Sequence, residues 1–323
     1  MDLIKQNPYR VLGVLVNSSE RQLLKQTTVI KRYLEVGKSK TFDYDFDFIG
    51  TISRESQDIQ LAASSIEQPQ GKINYALFWF INETHFDEIA LNRLKDGDTE
   101  KAIDVWKKTL RDDITPKNYS SYQNLSTLYI ASAIASEQLD LHLMEMGAEL
   151  KAKLLKSNHF SSFVESVCGQ SPSVEQQKVT EHFVDNIIGI VDPLLGSNKL
   201  VKTKRIIKLF NGFTANIQKY VVEKYTEEPL LIIEKEIDKA DEKRRADPAS
   251  SDKAGENLYQ SVAKHIDFLK TLLGPNDLQV EMIVDKAANE VMQCAIAYWN
   301  EWIDSDKIDP GDDALRIANY AKS

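Results

Sequence analysis

From Asp277 to Ile303 the chain runs without a glycine or proline, and its apolar residues recur at helical spacing: Val280, Ile283, Val284, Ala287, Val291, Cys294, Ala295, Tyr298, Trp299 and Trp302. A period near 3.6 puts such residues on one face of a helix, which then has to be buried against another element. Similar stripes occur at Val201, Ile206, Leu209, Phe210, Phe213, Ile217 and Tyr220, and at Leu258, Val262, Ile266, Leu269 and Leu273. With only 13 glycines and 9 prolines in 323 residues, turn formers are too scarce for a many-stranded fold. The sequence therefore predicts an all-α protein.

Charge narrows the partners. The net charge is −9. Basic against acidic residues number 10 to 9 in residues 1–82 and 30 to 40 in residues 83–323. No nucleic acid is expected, because binding a phosphate backbone needs a concentrated cationic face. No run of eighteen apolar residues occurs, so no membrane span is expected. A basic segment leading into a long apolar run is absent from the N-terminus, so no signal peptide is expected. Cys168 and Cys294 lie far apart and form neither a metal spacing nor a disulfide framework, which points to a reducing compartment, the cytoplasm by default.

The first eighty residues open on a short apolar segment, Leu3, Ile4, Val11, Leu12 and Val14, stopped at Gly13. Ser18 or Ser19 then caps a helix over 19–36. Leu23, Val29, Ile30, Tyr33 and Leu34 mark its buried side, and Arg21, Lys25, Lys31 and Arg32 its wet side. Strict aromatic–acid alternation from Phe42 to Phe48 predicts an extended segment with its rings on one side. Asp43, Asp45 and Asp47 invite a calcium-loop reading, but that pattern needs glycine at the sixth position and glutamate at the twelfth, where Phe48 and Arg54 stand. A helix over 54–67 stops at Gln68-Pro69, and a fourth segment over 70–82 carries a dense aromatic run, Tyr75 to Ile81, that reads as core joining this module to the next.

Three pieces of this stretch resemble a J-domain, the module that docks on DnaK-type ATPase chaperones. Tyr9-Arg10-Val11-Leu12-Gly13-Val14 resembles its first-helix motif, Ser19-Glu20-Arg21 the start of its second helix, and Ile66-Glu67-Gln68-Pro69-Gln70-Gly71-Lys72 through Tyr75 its closing Leu-x-Asp-Pro-x-x-Arg…Tyr motif. The resemblance implies an antiparallel helical hairpin and a DnaK-type partner. Ungapped alignment puts Glu35-Val36-Gly37 where the family carries His-Pro-Asp, the tripeptide that stimulates ATP hydrolysis by the chaperone. The stimulating activity is thus not implied. Arg21, Lys25, Lys31 and Arg32 read either as a partner-docking face or as an ordinary solvated helix face.

Residues 83–168 carry a second resemblance. Leu91 to Trp106, with a tight turn at Asp96-Gly97-Asp98 and the pair Ala102 and Trp106, resembles the helix–turn–helix of a tetratricopeptide repeat, and Asn124-Leu125-Ser126-Thr127-Leu128-Tyr129 resembles the first helix of another. One 34-residue period on from Gly97 stands Ala131 inside an apparent helix, so the repeat is not sustained. Such hairpins imply either a peptide-binding groove or packing alone. After a boundary at Cys168-Gly169-Gln170-Ser171-Pro172-Ser173, residues 174–323 predict a C-terminal helical bundle with helices over 174–190, 199–224 and 227–245, the last beginning at Glu228-Pro229, and a mobile charged segment over 239–256.

The five histidines form no ligand pair, and neither a phosphate-binding glycine loop nor a Gly-x-Ser-x-Gly elbow is present. No catalytic residue, cofactor or metal is expected. The sequence reads as a non-enzymatic binding or scaffolding protein and divergent co-chaperone, or alternatively as a tetratricopeptide-like adaptor with no chaperone link.

Overall fold

The computed structural model describes residues 3–38, 40–110, 113–169, 172–305 and 309–322. Within them the protein is all-helical, with no strand. The helices are α1 (Pro8–Val11), α2 (Glu20–Glu35), α3 (Ser56–Ser65), α4 (Pro69–Ala76), α5 (His85–Lys95), α6 (Thr99–Lys107), α7 (Tyr119–Ala135), α8 (Leu141–Lys156), α9 (Phe160–Cys168), α10 (Gln176–Val191), α11 (Lys199–Leu209), α12 (Ala215–Ala246), α13 (Ser251–Leu273), α14 (Leu278–Trp302) and α15 (Gly311–Tyr320). The chain divides into two compact units between Val221 and Val222, inside α12. Gln170 and Ser171, part of the boundary expected from sequence, lie outside the described residues.

In the first unit, the two ends of the stretch from Asn7 to Tyr75 meet. Asn7 caps α1 by accepting from the Tyr9 amide at 3.0 Å, and its Nδ2 donates to the Tyr75 carbonyl at 3.0 Å. Tyr9 donates its hydroxyl to the Lys72 carbonyl at 3.1 Å. α1 touches both α3 and α4, and α2 touches α3. Tyr9, Val11, Leu12 and Val14 are buried, so the motif residues are core residues.

The segment after α2 is not extended. A turn at 43–44 and a 3-10 turn at Asp47–Ile49 coil it, and Phe46 packs against Tyr44, Phe48, Trp79 and Phe80, the last at 5.2 Å between centroids and edge-to-face. Asp45 takes two hydrogen bonds from Arg54, whose Nε also donates to the Val11 carbonyl at 2.7 Å and whose Nη2 donates to the Arg10 carbonyl at 2.9 Å. The residue at the twelfth position of the calcium pattern thus neutralises its central aspartate and closes the C-terminus of α1. Among the described residues no group of three metal-ligating side chains occurs.

α4 ends at Ala76, inside the segment over 70–82 read from sequence as core. Phe78, Trp79, Phe80 and Ile81 are fully buried outside any helix. An irregular buried stretch has to satisfy its backbone groups elsewhere, and α7 and α8 supply the partners. Gln123 Nε2 donates to the Ala76 carbonyl at 2.8 Å and the Trp79 carbonyl at 2.9 Å. Asn124 brackets Ile81, donating to its carbonyl and accepting from its amide, both at 2.9 Å. Lys151 Nζ donates to the Leu77 carbonyl at 2.7 Å and to Gln123 Oε1.

α5 and α6 form the hairpin expected over 91–106, with Ala102 and Trp106 fully buried. α7 and α8 form the next pair. They approach closely at Gly147, where an added Cβ would lie 2.7 Å from Ile130 Cγ1, and Ser126 donates to the Gly147 carbonyl at 2.7 Å. Buried residues cover nearly all of α7 from Tyr119 to Ala133, which touches α5, α6, α8 and α9.

Two helix boundaries beyond residue 198 differ from expectation. The chain breaks at 210–214 rather than running to 224, and α12 passes through Pro229 without ending. A proline inside a helix costs about 3 kcal/mol in isolation. Here Thr226, Ile233 and Ile237 are buried on the same helix, and a break at 228 would take them out of register with one another. Tertiary burial outweighs the local penalty.

In the second unit, α13 touches α14 and α15, and α14 touches α15. Ile233, Ile237, Leu258, Val262, Leu269, Ile283, Val291 and Ile317 belong to one hydrophobic core, with Leu230 and Tyr320 packed on it. The charged stretch expected to be mobile over 239–256 is instead helix to Ala246, a 3-10 turn at Pro248–Ser250, and then α13. Arg244 Nε donates to Glu290 at 2.8 Å and Trp302 Nε1 to the Ala249 carbonyl at 3.1 Å, which fixes both sides of the turn.

Candidate interaction site

α2 begins where Ser19 accepts from the Gln22 amide at 3.3 Å and Gln22 accepts from the Ser19 amide at 2.8 Å, a reciprocal cap. Ile30 is its one fully buried residue, and Leu23, Val29, Tyr33 and Leu34 are half-buried. Most of the helix therefore faces solvent. Arg21, Lys25, Lys31 and Arg32 are on its open side, and none has an ion pair among the described residues. At 100° per residue, Arg21, Lys25 and Arg32 share one stripe, while Lys31 lies beside Leu24. Leu24 is 66% exposed, a large apolar side chain among the cations.

Glu35, Val36 and Gly37 are exposed at the end of α2. Gly37 has φ +66° and reverses the chain there, with its amide donating to the Leu34 carbonyl at 2.9 Å. Beside this turn lies a groove of about 460 Å³, lined by Ile30, Tyr33, Lys38, Lys40, Thr51 and Arg54 among others. The Lys40 ammonium sits 5.3 Å from the Tyr33 ring centroid and 5.4 Å from that of Phe42, with the Arg54 guanidinium 5.0 Å from Phe42. Among the described residues no carboxylate, histidine or cysteine lines the groove. It offers cations, hydroxyls and aromatic faces, which suit contact with an anionic or amphipathic chain.

The sequence identified the cations of α2 but not the groove. Lys38, Lys40, Thr51 and Ser53 come together only because residues 41–54 coil back under α2, and the aromatic–acid alternation suggested the opposite.

A second polar cluster was not evident in the sequence. Asp87 is fully buried. Its Oδ1 accepts from Trp106 Nε1 and Asn124 Nδ2, each at 2.9 Å. Its Oδ2 accepts from Ser120 Oγ at 2.7 Å, from the Thr84 amide and hydroxyl at 2.9 and 2.8 Å, and from the Glu83 amide at 3.2 Å. The available signal was the Thr84–Asp87 spacing of a capping box. Lys151 is also fully buried, and burial holds its ammonium pKa well below the usual lysine value. With neutral acceptors around it and no solvent access, Lys151 serves the buried 77–81 backbone. Neither cysteine sits in an activating environment. Burial raises the Cys168 thiol pKa, and burial together with Glu290 pushes that of Cys294 up to about 12.

No protein-family profile, curated protein or solved structure matches the chain. No described helix is long and apolar enough to cross a membrane.

Proposed function

We propose that the protein is a non-enzymatic, cytoplasmic binding protein whose first module docks through α2 on a DnaK-type chaperone without stimulating its ATPase. The observation that carries this reading is the one-sided attachment of α2. A sixteen-residue helix with one fully buried residue keeps four unpaired cations and an exposed leucine facing outward. Burial elsewhere gives no reason for that surface, and a docking helix does. Glu35-Val36-Gly37 provides none of the chemistry of His-Pro-Asp, so stimulation is lost, and binding rests on the open face of α2. The alternative, a peptide-binding groove built by the tetratricopeptide-like hairpins, has less support because buried residues surround α7, which leaves it little free face.

Calorimetric titration against a DnaK-type chaperone, with its ATPase rate measured in parallel, tests the proposal. Binding without stimulation is expected, and charge reversal at Arg21, Lys25, Lys31 and Arg32 abolishes the binding. Stimulation by the wild-type chain would overturn the claim of lost activity. Absence of binding would remove the chaperone link.

A further inference from the structure

The second unit carries a surface that the docking of α2 does not use. Between α12 and α14 lies a groove of about 530 Å³, with Leu230 and Ile283 on its floor and Leu231 and Met282 on its walls. Leu231 is 58% exposed, Met282 64%, and Leu278, one turn before Met282, 69%. Ile283 belongs to the hydrophobic core beneath and Leu230 packs on it, so the groove is an opening in that core. Three large apolar side chains exposed so close together are uncommon on a surface whose only task is to meet water.

Charge decides what fits. Glu227 and Glu234 line the α12 wall seven residues apart, about 10 Å along one edge. The cation of the groove is Lys286, which is 4.0 Å from Glu234 and so offsets that carboxylate. Asp285 is exposed on α14, and helical spacing places it beside Leu278 and Met282, on the outer rim. Glu227 and Asp285 have no ion pair among the described residues. The groove is thus an apolar floor between two helices, with the unpaired Glu227 on its α12 wall, Asp285 on the α14 rim outside its lining, and Lys235, one turn from Leu231, exposed on the far rim of α12.

We propose that this groove receives an amphipathic helix of a partner protein that presents leucine-like residues at i, i+3/i+4 and i+7, with lysine or arginine along its flanks. The groove extends over about two helical turns, residues 227–234 on α12 and 279–286 on α14. An incoming helix would add a layer to the helical core below. Its flanking cations would meet Glu227 on one side and Asp285 on the other, where opposite charge steers association and sets register.

The test titrates the full chain with a synthetic leucine/lysine amphipathic helical peptide and with its counterpart carrying glutamate for lysine. The lysine peptide is expected to bind and the glutamate peptide not to. Leu231→Ser with Met282→Ser is expected to weaken binding at least tenfold. Glu227→Lys with Asp285→Lys is expected to do the same through charge, and because all four positions are exposed, neither pair of changes opens the core. Three results would overturn the proposal: no binding of the lysine peptide to the wild-type chain, undiminished binding in the Leu231/Met282 variant, or a dimer of the wild-type chain in light scattering that this variant loses, which would give the groove to a second copy.

Discussion

Replacing Asp87 by asparagine changes one atom and should be among the most damaging single substitutions in the first unit. The carboxylate accepts six hydrogen bonds, from Trp106, Asn124, Ser120, Glu83 and twice from Thr84, and it is fully buried. Asparagine brings an amide NH2 that cannot accept. Placed at Oδ1, it faces the indole N–H and the Asn124 amide, two donors that cannot turn round together. Placed at Oδ2, it faces the Thr84 and Glu83 backbone amides. Either way about two donors lose their acceptor, the buried Trp106 and Asn124 groups or the part-buried Thr84 and Glu83 amides, at roughly 1–3 kcal/mol each, and the remaining bonds lose their charge assistance. A loss of about 3–5 kcal/mol follows, a large part of the roughly 5–15 kcal/mol typical of a whole domain. For a unit of this size each kcal/mol lowers Tm by roughly 2–4 °C. Urea denaturation followed by tryptophan fluorescence, with thermal unfolding by circular dichroism, measures both quantities. A loss below about 1 kcal/mol would refute the claim that this carboxylate organises the junction of α5, α6 and α7.

Further outcomes follow from the same structure. Lys151 has a folded-state pKa held below its unfolded value, so between the two the unfolded chain binds the extra proton. Its contribution to stability is fully present above the unfolded value and falls as pH drops towards the folded one. The stability of the wild type relative to Lys151→Met should therefore rise with pH through the alkaline range, by at most about 1.4 kcal/mol per pH unit. A pH-independent difference would contradict it. Asp45→Ala should cost about 3–5 kcal/mol, because it leaves the Arg54 guanidinium unpaired in a site where both side chains are 7% exposed; urea titration reads it, and Asp45→Ala with Arg54→Met should recover part of the loss. Gly147→Ala places a Cβ 2.7 Å from Ile130 Cγ1, and the resulting overpacking of about 1–3 kcal/mol outweighs the helix-propensity gain of roughly 1 kcal/mol. A raised Tm would show that α7 and α8 can move apart at little cost.

The helical class, and the existence of most of the helices, were written in the chain, because a 3.6-residue apolar period and scarce turn formers are local properties. Ser19 as a cap and the Asp96-Gly97-Asp98 turn were legible for the same reason. So was the wet face of α2, since unpatterned charge opposite a partly apolar stripe can only face water. Local signals failed wherever burial overruled them. Pro229 reads as a helix start, yet it lies inside α12 because Thr226, Ile233 and Ile237 are buried on one continuous helix. Tyr75 to Ile81 reads as core, and its aromatic run is buried, but no local signal shows that the chain from Leu77 is irregular and that Gln123, Asn124 and Lys151, distant in sequence, satisfy its backbone. Phe42 to Phe48 reads as extended, yet it coils around Phe46 and the Asp45–Arg54 pair. The sequence by itself determined which faces are apolar and which residues carry charge. The tertiary structure alone decided which polar groups meet in the core and which apolar faces stay open, because these depend on contacts between residues dozens of positions apart.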